Sequence, residues 1–204
     1  MSAVTPVPLT DSHVDAAADV LMRAFVEDPG LLFVLPDPAG RARLAPSLAR
    51  AAVRYTLRCG APLVTRGAVR GVALWFPPGA PELGADELAE TGITRVPEQI
   101  GPDAWQRFQR LLDHLDALHR QLLPDPHWYL ALLGVDPASQ RQGIGAGLMQ
   151  HVFTRADREG LACYLEAPTE GNARYYERRG FRVVMETDVP ESDVHVWLMR
   201  RDPV

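Results

Sequence analysis

Gln140-Arg141-Gln142-Gly143-Ile144-Gly145-Ala146-Gly147 sets three glycines two residues apart behind an arginine. The run follows HWYLALLGVD (127–136), which reads as a buried strand, and leads into residues 144–158, whose apolar spacing predicts a helix. A strand, a short polar loop and a helix N-terminus together make an anion site. The first backbone N–H groups of the helix lack intrahelical partners, and the helix dipole favours negative charge there. Gly143 and Gly145 would let a pyrophosphate approach the backbone, and Arg141 adds a charged donor. The same spacing also suits a turn that merely packs a helix on a strand. A dinucleotide fingerprint fits less well, because G-x-G-x-x-G needs a glycine where Leu148 stands. Its first glycine should also follow the strand at once, whereas seven residues, Asp136 to Gln142, separate Val135 from Gly143. Glu166 ends the next strand roughly where an acidic ribose ligand would lie, but the loop mismatch outweighs it.

Outward from the loop, strands and helices alternate. Downstream come a strand ACYLEA (162–167), a helix from about Asn172 to Arg179, a strand FRVVMETD (181–188) and a final strand HVWLMRR (195–201). Upstream, Thr5 to Thr10 suits a short strand, and Asp11 caps an amphipathic helix to about Glu27 that Asp28-Pro29-Gly30 stops. A second helix runs from about Gly40 to Arg58, followed by a hairpin, APLVTRG and AVRGVALWFPPG (61–79). Residues 80–102 are polar and glycine-punctuated with fragments of helix, and 104–123 form a clear amphipathic helix. The pattern predicts an α/β chain with a mixed sheet.

The composition is that of an ordinary globular chain, 204 residues with 47% hydrophobic and 23% charged, enough for one domain with a real core. No apolar run suits a membrane span, and MSAVTPVPLTDSHVDAAAD lacks the basic start and apolar stretch of a secretory signal, so a cytoplasmic location is expected. Cys59 and Cys163 are far apart and are expected to be free thiols, with no metal-ligand spacing and no metal expected. A net charge of -5 argues against nucleic acid as a partner and favours a cationic or neutral small substrate. All 21 basic residues are arginine, which excludes a lysine Schiff base and a P-loop lysine.

Gln140-x-x-Gly143-x-Gly145, preceded by Leu133-Gly134-Val135-Asp136-Pro137, resembles the acetyl-CoA loop of the GNAT N-acetyltransferases. Asn172-Ala173-Arg174-Tyr175-Tyr176-Glu177-Arg178-Arg179-Gly180-Phe181 is similar to that family's N-x-x-F-Y-E-x-x-G-F, with Tyr175 where Phe is usual. The resemblance is specific from about His127 to Arg200, and the layout is similar to that of the puromycin N-acetyltransferase-like group. It implies a single GNAT domain over 1–204, with an acetyl-CoA-binding core at about 127–200 and a helical substrate-side insertion at about 80–124. The implied sheet is mixed, mostly antiparallel and of about seven strands, with helices on both faces and a splay between the parallel strands HWYLALLGVD and ACYLEA. Backbone groups of Leu133, Gly134 and Val135 would meet the pantetheine arm. The segment Gln140, Arg141, Gln142, Gly143, Ile144, Gly145 and Ala146 would hold the pyrophosphate, and Asn172 and Tyr176 would contact the cofactor.

Acetyl transfer to an amine needs a neutral amine, stabilisation of an oxyanion and a proton for the departing thiolate. The resemblance gives the last role to Tyr176, and a backbone N–H near Leu133 is the expected oxyanion donor. Glu166 is the first candidate base and His195 the second. Glu27, Trp75 and Tyr129 are candidate walls of an amine pocket, although Trp75 and Tyr129 also suit a core. Cys163 reads as a small buried hydrophobe rather than a nucleophile. The expected activity is N-acetyl transfer from acetyl-CoA to a small-molecule amine by direct attack in a ternary complex, by a monomer or homodimer. Acetylation of a protein or peptide amine and a non-catalytic acyl-CoA-binding or partner-binding domain are the alternatives.

Overall fold

Seven strands form one mixed sheet in the computed structural model, which describes residues 5–204. They are β1 (Pro6–Pro8), β2 (Leu63–Thr65), β3 (Gly71–Phe76), β4 (His127–Val135), β5 (Ala162–Ala167), β6 (Arg182–Asp188) and β7 (His195–Arg201), in spatial order β1-β2-β3-β4-β5-β7-β6. Every neighbouring pair is antiparallel except β4 and β5. The helices are α1 (Val14–Ala24), α2 (Pro29–Val34), α3 (Pro38–Cys59), α4 (Ala85–Thr91), α5 (Val96–Ile100), α6 (Pro102–Leu122), α7 (Ile144–Glu159) and α8 (Glu170–Glu177).

Side-chain alternation along β3 assigns the two faces. Val72 and Leu74 pack with Val20 and Leu21 of α1 and Val53 of α3. Ala73 and Trp75 pack instead with Leu148, Val152 and Phe153 of α7, in a cluster that also holds Ala173 and Tyr176 of α8. Close approach of α1 to β4 depends on Gly134, because a Cβ there would stand 2.9 Å from Leu21. On the far side of α1 and α3, helices α2, α5 and α6 form a third cluster around Val34, Val96 and Ala104.

The strands 162–167 and 195–201 begin and end where the sequence places them, but the first helical region differs. The first helix ends at Ala24, and Asp28-Pro29 opens a further helix, α2, instead of only stopping the preceding one. Asp28 accepts a hydrogen bond from Leu31 N–H, and Pro29 takes the first helical position, where a missing N–H costs nothing. Asp37-Pro38 repeats the device: Asp37 accepts from Gly40 N–H at 2.6 Å, so α3 starts before Gly40. Among the described residues, no helix is long and apolar enough to cross a membrane.

Candidate active site

β4 and β5 pair only over His127, Trp128 and Tyr129, which face Ala162, Cys163 and Tyr164. Beyond them the two strands part. The cause lies on the other edge of β4, where Leu74 pairs with Leu132 but Trp75 pairs with Leu130, leaving Ala131 as an extra residue. Such a bulge bends its strand and raises the local twist, and this one starts two residues after the last residue paired to β5. Past the bulge, Asp136 N–H donates to Arg70 O, so by antiparallel alternation Leu133 and Val135 turn their N–H and C=O groups away from β3, toward the gap. The Val135 carbonyl accepts a hydrogen bond from the Gln140 side chain at 3.2 Å.

On the α1–α3 face, a cavity of about 380 Å3 opens beside the gap. Ala131 and Leu132 of β4, Glu166 of β5, Pro168 and Val196 of β7 form its floor, and Phe25, Leu48, Ala52, Phe108 and Leu111 stand among its walls. Its charged lining residues are Asp28 and Glu166. Burial pushes the Glu166 carboxyl up to about 7, against the lowering influence of the Tyr129 and Tyr164 phenols, while Asp116 adds to the rise. Tyr129 also lines the cavity, and burial followed by the Glu166 charge raises its phenol well above its ordinary value. Tyr164 is fully buried, and its hydroxyl makes no well-formed hydrogen bond.

Behind these phenols lies a histidine pair, His119 and His127, that no sequence motif joins. His119 of α6 stacks on Tyr164 with ring centroids 4.1 Å apart, and its Nε2 is 2.6 Å from His127 Nε2. His127 Nδ1 bonds the Asp125 carbonyl and therefore carries the proton, so the His119 Nε2–H donates to His127. Burial, followed by the charge of His127, pushes His119 down to about 4, which keeps it neutral near pH 7.

The opposite face carries the loop and the motif tyrosines. After a single 3-10 turn at Pro137–Ser139, the chain passes through Arg141 at φ 61° and Gly143 at φ 81°, and Gly143 caps α7. A Cβ on Gly143 would meet nothing within 4 Å, so the space above the loop is open. Gly145 is small for a different reason: a Cβ there would stand 2.6 Å from the Tyr175 hydroxyl. Ile144 and Gly145 are buried in the first turn of α7, whereas Gln140, Arg141, Gln142 and Gly143 are exposed, with Ala146 between these extremes. Thr169 caps α8 by accepting from Asn172 N–H, and Asn172 is exposed. Tyr176 is buried among Leu165, Ala167 and Phe181, and that burial raises its phenol above its ordinary value.

The remaining sequence candidates stand apart from the cavity. Trp75 is fully buried between Trp128 and Phe153 on the α7 face, because its position in β3 alternates with Leu74, which packs on the α1–α3 side. Glu27 is exposed in the turn after α1, and its neighbour Asp28 lines the cavity instead. His195 lies between Val194 and Val196, which both line the cavity, so it projects from the other face, where Asp188 at 2.7 Å and Glu186 at 3.3 Å hold it. Cys163 is buried and its thiol is pushed up to about 12 by burial, which suits a small hydrophobe. Among the described residues, no three His, Cys, Asp or Glu cluster as a metal site.

Comparison with known proteins places this geometry. Residues 110–181 match the Acetyltransferase (GNAT) family. An uncharacterized N-acetyltransferase of Schizosaccharomyces pombe is 29% identical over 119 residues, 56% of this chain and 48% of that protein. The match thus spans about half the length of that curated relative. A Corynebacterium glutamicum protein described as histone acetyltransferase HPA2 and related acetyltransferase shares the fold with a TM-score of 0.75 and 24% identity, over 99% of this chain and 97% of its own. The Drosophila melanogaster polyamine N-acetyltransferase does so at 0.64 and 15%, over 98% and 99%. Arylalkylamine N-acetyltransferase 2 from Aedes aegypti does so at 0.63 and 17%, over 98% of each chain. The family match at 110–181, the parted parallel pair β4–β5 and the glycine loop agree with one another, and the fold is that of the GNAT acetyltransferases.

Proposed function

We propose that this protein transfers the acetyl group of acetyl-CoA to an amine of a small molecule by direct attack in a ternary complex. The observation that carries the reading is the gap between β4 and β5, with an open glycine loop on one face and an apolar cavity containing Glu166 on the other. A concave cavity of about 380 Å3, within the roughly 300–1,000 Å3 of small-molecule sites, favours a small acceptor over a protein surface.

The residues present fit acetyl-CoA. The open space above Gly143 admits a phosphate to the backbone N–H groups of residues 141–146, and exposed Arg141 and Asn172 can reach it. The backbone edge at Leu133 and Val135, turned from β3 and met there only by the Gln140 side chain on the Val135 carbonyl, suits an arm lying in the gap as a further strand would. When bound, acetyl-CoA supplies an activated carbonyl and a thiolate leaving group.

This chain's residues would then manage two protons. Glu166 has a carboxyl near 7, so close to neutrality it is poised to accept a proton from the incoming ammonium. Tyr176, on the opposite face, keeps its proton and can give it to the departing thiolate. The unpaired thiols of Cys59 and Cys163 support a cytoplasmic location. Thiol release from acetyl-CoA is the test: it should depend on an added amine and saturate with it. If acetyl-CoA binds and no amine of a broad panel releases thiol, the domain is a binding module.

A further inference from the structure

The acceptor's chemical class can be read from what the cavity offers it, and this step rests on the transferase reading above. Its walls are Phe25, which follows α1, Leu48 and Ala52 of α3, and Phe108 and Leu111 of α6. The two acids within it are not equivalent. Asp28 is the cap of α2, with Oδ1 3.0 Å from Leu31 N; burial raises its carboxyl, and the Leu31 and Gly30 N–H groups partly offset that rise. Glu166 caps no helix: the phenols of Tyr129 and Tyr164 lie beside it, and the Asp116 charge also acts on it. Of the two acids that line the cavity, Glu166 is thus the one not fixed as a helix cap. A second ammonium placed among Leu48, Phe108 and Leu111 would lose its water without gaining a partner.

We propose that the acceptor is a primary amine with a single positive charge and an alkyl or aryl body, its nitrogen at Glu166 and its body against the α3 and α6 walls. Polyamines and amines with a charged tail are disfavoured. Apolar burial then sets a gradient: each methylene added to a linear amine improves affinity about fourfold until the cavity is filled.

Calorimetric binding of butylamine, hexylamine and 1,6-diaminohexane to the CoA-loaded protein tests this directly. Hexylamine should bind about fifteenfold more tightly than butylamine, and 1,6-diaminohexane, which differs from hexylamine only by a second amine, at least about tenfold more weakly than hexylamine. Ala52→Phe, which projects a ring into the cavity, should remove the hexylamine advantage over butylamine, with the melting temperature reporting the fold. A flat series, or diaminohexane binding as well as hexylamine, would overturn the proposal. Thiol release with the same amines separates the two readings. Absence of release with a normal binding gradient sinks the transferase and leaves the ligand class standing, whereas release with a reversed preference sinks the ligand class alone.

Discussion

Glu166 and Tyr176 flank the sheet from opposite faces: the carboxylate lines the apolar cavity, and the phenol is buried with Leu165 and Ala167, the neighbours of Glu166 on β5. Strand alternation makes this separation unavoidable, since residues 165 and 167 must face away from 166. An acid and a base so placed can serve one reaction only if it takes place in the opening between them. The Ala131 bulge and the loss of β4–β5 pairing after Tyr129 provide that opening. The proposed proton acceptor and proton donor thus lie on different sides of the sheet, and each can be tested by itself.

Glu166→Gln should lower kcat/KM by about a hundredfold near pH 8. In the native protein the activity should climb as pH passes through about 7, when Glu166 loses its proton, and the variant should lack that limb. Stability should move the other way. The folded carboxyl lies above its ordinary 4.5, so its stabilising contribution is complete below that value and is lost as pH rises through about 7. Glu166→Gln should therefore gain on the order of 1–2 kcal/mol relative to the native protein at pH 8 and little at pH 4.5. Denaturant titrations at the two pH values check this, and a stability difference independent of pH would show that Glu166 is not held protonated by burial.

Tyr176→Phe keeps the ring that packs on Phe181 and removes only the hydroxyl. If that hydroxyl delivers the proton to the thiolate, kcat should fall by about a hundredfold with the KM for acetyl-CoA changed by less than about threefold. Burial raises this phenol above its ordinary value, so the proton stays available across neutral pH. Full activity in the variant at every pH would leave the leaving group to water.

The loop and both motif segments were legible in the sequence because their chemistry is local: a cap, a turn and a helix start are set within a few residues. Asp28-Pro29 and Asp37-Pro38 carry equally local signals, an N-cap followed by proline at the first helical position, yet in sequence Asp28-Pro29 reads only as a stop and the second helix as starting at about Gly40. The rest depends on pairing across distance. Ala131 becomes a bulge only because Leu74 and Trp75 choose Leu132 and Leu130, some sixty residues away. His119 and His127 meet because α6 ends beside the paired start of β4, which no periodicity reveals. The faces of Trp75 and His195 likewise follow from strand register, which the composition of a single strand does not set.

Gly143→Val tests the loop without crowding the core. The added side chain has open space but must adopt φ near +81°, which costs about 1–2 kcal/mol. The folded protein should survive this, since no neighbour lies within 4 Å. What the valine fills is the approach that a phosphate would use. Acetyl-CoA at a hundred times its dissociation constant stabilises a native binding site by about 2.7 kcal/mol, and the variant should lose most of that rise in melting temperature. An undiminished rise would move the pyrophosphate away from Gly143.

His195→Ala separates a strand-end ion pair from a catalytic base. His195 is held by Asp188 and then Glu186, and these partners raise its imidazole above the ordinary 6.5. Its pairing thus stabilises the fold below about pH 6.5 and is lost as pH rises through the higher folded value, so the alanine variant should be destabilised at pH 5.5 more than at pH 8.5. The effect should be small and weakened by salt, because the group is partly exposed. Activity should not follow it. Val194 and Val196 turn to the cavity and His195 turns from it, so kcat/KM should stay within about twofold of the native value. A tenfold loss of thiol release at pH 8, with stability unchanged there, would restore His195 as a participant in proton transfer and require β7 to present a different face to the substrate.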